Sequence, residues 1–223
     1  MSVDSEPLVK AGEELYKIMP KRNFKQSIEI AINLRDVDLR RPENRIRATV
    51  TLPNPIEGRN VKVCVVAERQ LALKAKEAGA DLVIGRDDLE RIAGDKRALK
   101  KLAKEYDFFL VQPDLIPVVG RLLGKYLGPR GKAPQPLPPN VDVKYMIERA
   151  RRSVNIRTKT QPVVHAIIGK EGMDPKKVAE NALAVISALE TKYKIPQNIK
   201  SIYVKATMSP AVKVEFTGKR RRR

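Results

Sequence analysis

Hydroxyl, cationic and carboxylate side chains alternate with apolar ones in three segments of this sequence. Residues 27–34, SIEIAINL, alternate strictly, and residues 45–52, RIRATVTL, and 201–208, SIYVKATM, repeat the pattern. Because successive side chains of a strand point to opposite faces, each segment predicts a strand with one apolar and one polar face. The predicted polar face carries Ser27, Glu29, Arg45, Arg47, Thr49, Tyr203, Lys205 and Thr207.

This mixture of polar groups suits RNA. Cations and hydroxyls pair with phosphate and 2′-OH groups, and a carboxylate accepts hydrogen bonds from base amino groups. A solvated sheet face without any ligand would carry the same residue types. Patterning alone therefore leaves an RNA-binding face and an ordinary solvated face equally open.

Enzyme motifs are missing from the sequence. Neither form of glycine-rich phosphate loop occurs, and the glycines at 120, 124, 128 and 131 lack the required spacing. His165 is the single histidine, which excludes zinc sites with several imidazoles, and no GxSxG elbow accompanies it. We therefore predict a protein that is not an enzyme and needs no cofactor or metal, in which His165 is structural or contacts RNA.

The charge balance favours a polyanionic partner. Lysine and arginine number 45 against 26 aspartate and glutamate residues, which gives a formal net charge of +19 and a pI near 10.1. The last five residues, Lys219 to Arg223, are all basic, yet the remaining chain is still strongly positive. This tail is either a solvated end or a further RNA contact.

Three features predict a cytoplasmic protein. No apolar stretch approaches the roughly 20 residues needed to cross a bilayer. The N-terminal residues lack the apolar core of a signal peptide. Cys64 is the only cysteine and lies in the apolar run VKVCVVA, which indicates a buried small hydrophobe rather than a reactive thiol.

Two different patterns of apolar residues predict an α/β protein of two domains. Residues 61–152 alternate nearly continuous apolar strands with helices, as in a parallel sheet covered on both faces, and predict an inserted three-layer, Rossmann-like α/β domain. The flanks, residues 1–60 and 153–223, together predict an α+β sheet domain with one open face. Two short crossings, near residues 52–60 and 151–158, would connect the domains as a hinge.

Residues 127–139, LGPRGKAPQPLPP, carry the strongest loop signal of the chain. Their prolines and glycines predict a stiff, irregular segment from which Arg130 and Lys132 project their charge. A plain connector would be equally stiff. The segment is therefore either a connector or a secondary RNA contact, since stiffness lowers the entropy lost on binding and cations suit phosphate.

Five segments resemble the ribosomal protein L-one family, and they occur in the family's order over essentially the whole chain. FKQSIE from Phe24 resembles its Phe-x-x-Ser/Thr-x-Glu motif, and GPRGKAP from Gly128 resembles its Gly-Pro-Arg-Gly loop. ATMSP from Ala206 resembles its Thr-Met-Gly-Pro signature. The other two are RRPENRI from Arg40, with the strand that follows it, and TKTQPVVHAIIGK from Thr158; RRPENRI and the basic tail look archaeal.

The resemblance implies that the flanks form the main RNA-binding domain. The predicted site comprises Phe24, Ser27, Glu29, His165, Gly169, Lys170, Thr207, Met208, Ser209 and Pro210. Implied partners are the large-subunit ribosomal RNA of a mobile stalk, the tRNA of the exit site and the protein's own mRNA. We accordingly expect a ribosome-bound protein, monomeric when free, that helps deacylated tRNA leave and represses its own translation.

Two departures from the family pattern bear on this site. Ser209 stands where the family usually has glycine, so its side chain either obstructs a close approach of RNA, forces a different dihedral or adds a hydroxyl contact. LPNPIEGRN stands where the family commonly has Leu-Pro-His-Gly, which predicts a hinge of different stiffness.

The sequence also allows two other functions. One is a nonspecific basic RNA chaperone. The other is an enzyme that uses Arg130 and Lys132 on a phosphorylated substrate, which the missing phosphate loop disfavours.

Overall fold

A computed structural model describes residues 5–195 and 197–215 of the chain. The basic run at residues 219–223 lies outside these residues. The helices are α1 (Ser5–Ile18), α2 (Arg69–Glu77), α3 (Arg86–Ile92), α4 (Lys96–Glu105), α5 (Ile116–Leu127), α6 (Val143–Arg151) and α7 (Pro175–Glu190). The strands are β1 (Ser27–Leu34), β2 (Arg47–Thr51), β3 (Val63–Val66), β4 (Leu82–Ile84), β5 (Phe108–Val111), β6 (Gln135–Pro136), β7 (Ser153–Arg157), β8 (Val163–Lys170), β9 (Ile199–Ala206) and β10 (Val212–Val214).

The predicted mixture of α/β structure is confirmed, with both antiparallel and parallel sheets. The chain divides into two compact units. One, the flank unit, combines the segment that ends at Gly58 with the segment that begins at Arg152. The other, the inserted unit, is Arg59–Arg151.

The flank unit contains a four-stranded antiparallel sheet in the order β10-β9-β1-β8. Strict alternation in β1 places Ile28, Ile30, Ile32 and Leu34 in the core and leaves the intervening residues half-buried. Strands β8 and β9 supply further core residues to the same apolar face. The period of two that was visible in the sequence therefore decides which face of this sheet is buried.

Strand β2 does not join that sheet, so the predicted single polar face is wrong in this part. It pairs with β7, which occupies the stretch predicted as the second crossing, in a separate two-stranded sheet. Thr49 donates its hydroxyl to Asn155 Oδ1 at 2.8 Å, and the Arg45 guanidinium donates to the Leu39 carbonyl at 2.9 Å. Alternation indicates the buried face of a strand but not its partner, which is why the pattern grouped these residues with β1 and β9.

Helices α1 and α7 cover the apolar face of the four-stranded sheet. Asp174 caps α7, because its carboxylate accepts a hydrogen bond from the Lys176 amide at 2.9 Å and Pro175 follows at the first helical position. Helix α1, for which no prediction was made, packs against α7. A Cβ at Gly12 would lie 3.5 Å from the Pro175 Cβ, so a small residue suits this contact.

The inserted unit contains a parallel sheet in the order β4-β3-β5-β6. Every residue of β3 and β5 is buried, and alternate residues enter two separate clusters. Phe108 packs with α2 and α6 on one face, whereas Phe109 packs with α3, α4 and α5 on the other. Both faces of this sheet are therefore covered by helices.

Cys64 lies within this covered sheet and is fully buried. Desolvation raises the pKa of its thiol to about 12, so the thiolate that would react is disfavoured. Its predicted role as a small core hydrophobe is consistent with this position. Across the described residues, no helix is both long enough and apolar enough to cross a membrane.

Candidate nucleic-acid interface

The second face of the flank sheet carries polar side chains in register across three strands. Glu29 lies opposite Lys205 on β9 and Ile167 on β8. Two residues further along β1, Ala31 lies opposite Tyr203 on β9 and His165 on β8. His165 is exposed. A carboxylate, an ammonium, a phenol and an imidazole thus share one face, and the small Ala31 keeps its centre flat.

The predicted site residues 207–210 form a turn, which follows directly from β9 and is tied to the start of β1. The Ser27 amide donates to Thr207 Oγ1 at 3.2 Å, across 180 residues of sequence. Met208 is 57% exposed, so its apolar side chain is open to contact with a ligand. The structure therefore brings Ser27, Thr207 and Met208 together at one end of the polar face.

Ser209 fits this turn without strain. Its hydroxyl oxygen accepts a hydrogen bond from the Ala206 amide at 2.8 Å and lies 2.8 Å from the Pro210 carbonyl, to which it can donate. Asp36 and Arg69 are the non-glycine residues with positive φ among those the structure describes, so Ser209 has no need of a glycine conformation. Its side chain serves the turn itself rather than obstructing it.

Gln26 is a residue of this region that the sequence patterns missed. Its amide nitrogen donates to the Pro20 carbonyl at 2.7 Å, and its amide oxygen accepts from the Met208 backbone at 2.9 Å. The side chain is fully buried although Phe24, two residues earlier, is 48% exposed. One signal in the sequence could have found it. Gln26 lies two residues before the core residue Ile28, so in an extended chain both side chains point to the same face.

Gly169 and Lys170, predicted as RNA contacts, lie at the end of β8. A Cβ at Gly169 would lie 2.8 Å from Val178 Cγ2, so glycine is required here for close packing of α7 on the sheet. Gly169 is buried, and the structure does not bring it to the polar face. The Lys170 ammonium is half-exposed and donates to the Gly58 carbonyl at 2.9 Å.

The prediction that Lys132 projects its charge into solvent is wrong. Its ammonium donates to the carbonyls of Ala103 at 3.2 Å and Tyr106 at 2.6 Å, and lies 3.5 Å from Asp107 Oδ1. It therefore caps the C-terminal end of α4, where unpaired carbonyls and the helix dipole favour a cation. Arg130 is half-buried and donates to the Tyr126 carbonyl at 2.9 Å.

Among the described residues, no group of three or more histidine, cysteine, aspartate or glutamate side chains could hold a metal ion. What the polar face and its turn offer instead are hydrogen-bond donors, acceptors and exposed apolar atoms. Such groups can bind phosphates, 2′-hydroxyls and base edges without any reaction.

Comparison with known proteins identifies the family of the chain. The sequence profile described as the Ribosomal protein L1p/L10e family matches residues 15–210. A Thermofilum pendens protein named Large ribosomal subunit protein uL1 is 52% identical over 219 residues, which cover 95% of this chain and 97% of the relative.

Two further relatives carry the same name. That of Archaeoglobus fulgidus is 51% identical over 96% of this chain and 100% of its own length, and that of Methanothermobacter thermautotrophicus is 43% identical over 94% and 99%. The match therefore spans both units of the protein. This chain belongs to the Ribosomal protein L1p/L10e family.

Proposed function

We propose that this chain is a structural constituent of the large ribosomal subunit that binds large-subunit ribosomal RNA at the mobile stalk. Its relatives' names and its family support the assignment to that subunit. The flank unit is the RNA-binding domain, and the inserted unit acts as a scaffold. Ribosome binding makes the protein cytoplasmic.

One observation carries the RNA-binding proposal. The turn at residues 207–210 is held against the start of β1 by the bond between Ser27 N and Thr207 Oγ1, at the end of a polar sheet face. A preformed turn loses little conformational entropy on binding. Thr207 and Met208 then contact the RNA, while Glu29 accepts hydrogen bonds from base amino groups.

The same surface supports two further roles. A monomer that holds the stalk RNA beside the exit site assists release of deacylated tRNA. Because one surface binds one RNA fold at a time, a similar fold in the protein's own mRNA competes for it and allows repression of translation. An experiment that adds the mRNA leader as a competitor separates these roles: equal competition by an unrelated hairpin would contradict self-repression.

Footprinting of the protein on total ribosomal RNA tests the main proposal. We expect one protected site in the large-subunit RNA, and loss of that protection when Thr207 and Phe24 are both replaced by alanine. Diffuse protection along both ribosomal RNAs would contradict the proposal.

The second candidate function is a nonspecific RNA chaperone, which the net charge of +19 favours. A chaperone binds phosphates alone, so its affinity falls steeply with salt and differs little between RNAs. Titration of stalk RNA and of an unrelated hairpin at two salt concentrations distinguishes the two functions. Specific binding predicts a preference for the stalk RNA that persists at the higher salt.

A further inference from the structure

The amide of Gln26 joins two segments that flank the polar face of the flank unit. Its nitrogen donates to the Pro20 carbonyl, in the segment that leads to Phe24, and its oxygen accepts from the Met208 amide in the turn. The side chain is 0% exposed. Because a buried amide is costly unless both of its ends are paired, this arrangement holds both segments at once.

The backbone of Gln26 joins a third segment. Its amide donates to Glu171 Oε2 at 3.0 Å, and its carbonyl accepts from the Glu171 amide at 2.8 Å. Gln26 itself is thereby fixed to the loop between β8 and α7. The side chain therefore reaches the Met208 amide from an anchored backbone and not from a mobile one.

We infer that Gln26 is a positioning residue of the RNA site, which sets the place of Met208 and of the Phe24 segment before RNA arrives. This inference rests on the proposed function. Gln26 is buried and does not itself contact RNA. Without its amide, the turn keeps the Ser27–Thr207 bond but loses the bond at Met208, and RNA must then order the turn at a cost in affinity.

Two substitutions separate this role from a general loss of stability. The first, Gln26→Met, keeps the length of the side chain but removes both hydrogen bonds. If Met208 is the group that matters, affinity for stalk RNA should fall by about five- to tenfold in this variant, as expected for one net hydrogen bond.

Asn181 offers a matched control, because it is another fully buried amide of the flank unit. It donates to the carbonyls of Asn54 at 3.0 Å and Ile168 at 2.8 Å, and accepts from the Asn54 amide at 3.0 Å. Asn181→Leu should lower the free energy of unfolding as Gln26→Met does, but leave RNA affinity unchanged when both are measured well below their unfolding midpoints.

Equal losses of affinity in Asn181→Leu and Gln26→Met would overturn the inference. So would a Gln26→Met variant that binds stalk RNA as tightly as the wild type. A wild-type protein with no preference for stalk RNA over an unrelated hairpin would instead refute the proposed function.

Amide hydrogen exchange gives a second measurement, which does not require Gln26→Met to fold. In the free wild-type protein the Met208 amide should exchange at least about tenfold more slowly than in an unstructured peptide, because it is already bonded. Exchange at the unstructured rate would show that the turn is not held in advance and would overturn the inference.

Discussion

The two larger sheets of this protein use their residues in opposite ways. In the flank unit, β1 alternates buried and half-buried residues, and helices α1 and α7 pack on the apolar face of the sheet. In the inserted unit, all residues of β3 and β5 are buried, and helices cover both faces. A sheet with one uncovered face can present polar groups to a ligand, whereas a sheet covered twice serves as a rigid support.

Two loops extend the same contrast. The turn at residues 207–210 exposes Met208 and is held by two short side chains, since Thr207 bonds to the Ser27 backbone and Ser209 bonds to the Ala206 amide. In the segment that follows α5, the Lys132 ammonium is not available to bind a phosphate, because it donates to carbonyls at the end of α4. A basic residue in a proline-rich loop is thus not by itself a sign of contact with nucleic acid.

The largest expected effect is on stability, and it should leave RNA binding intact. Phe109 is fully buried among α3, α4 and α5, so Phe109→Ala should lower the free energy of unfolding by about 3–5 kcal/mol. Urea titration measures this loss. Stalk RNA affinity, measured in the folded protein, should not change, because the proposed site lies in the flank unit. A large drop in affinity would contradict the division of roles between the two sheets.

Lys132→Met should have the next largest effect. Removing the ammonium takes a donor from the carbonyls at the end of α4 and a cation from beside the Asp107 carboxylate, at a cost of about 1–3 kcal/mol in unfolding free energy. Lys104→Met, which removes an exposed cation from the same helix, is the control and should change stability by less than about 0.5 kcal/mol. A Lys132 variant as stable as this control would show that the cap contributes nothing.

Ser209→Gly should have a smaller effect, within the turn itself. The glycine removes the bond to the Ala206 amide and frees the backbone, so we expect a loss of about 0.5–1.5 kcal/mol in unfolding free energy. Stalk RNA affinity should fall only modestly, because Ser209 acts on the turn. A gain in affinity on Ser209→Gly would mean that the serine side chain obstructs the RNA.

The smallest expected effect concerns Cys64, whose thiol should not react in the folded protein. Because burial raises its pKa to about 12, the thiol should resist labelling by a thiol-reactive dye at pH 8 while the protein is folded. Labelling should become complete in denaturant. Rapid labelling of the native protein would show that the inserted sheet opens readily and is not a rigid support.

Much of the fold could be predicted from sequence because strand alternation reports burial directly. The alternation in β1 is local and agrees with the structure, and the Asp174–Pro175 start of α7 is a local signal of the same kind. Helix α1 was not predicted, although its buried residues Leu8, Ala11 and Leu15 recur at helical spacing.

The site was predictable only in part, for a similar reason. Ser27, Glu29 and Thr207 stand out by residue type and strand parity, and the structure places them in one region. Gln26 and Lys132 have roles that depend on backbone groups of other elements, Met208 in one case and the end of α4 in the other. The alternation of apolar and polar residues along one strand cannot reveal a hydrogen-bond partner on the backbone of another element.

The most direct test of the proposed RNA site compares three variants for affinity toward stalk RNA. Thr207→Ala and Phe24→Ala each remove a proposed contact, whereas Thr191→Ala removes an exposed hydroxyl that bonds to the end of α7. We predict a loss of about 1–3 kcal/mol in binding free energy for each of the first two and none for the third. Unchanged affinity in both Thr207→Ala and Phe24→Ala would contradict the account.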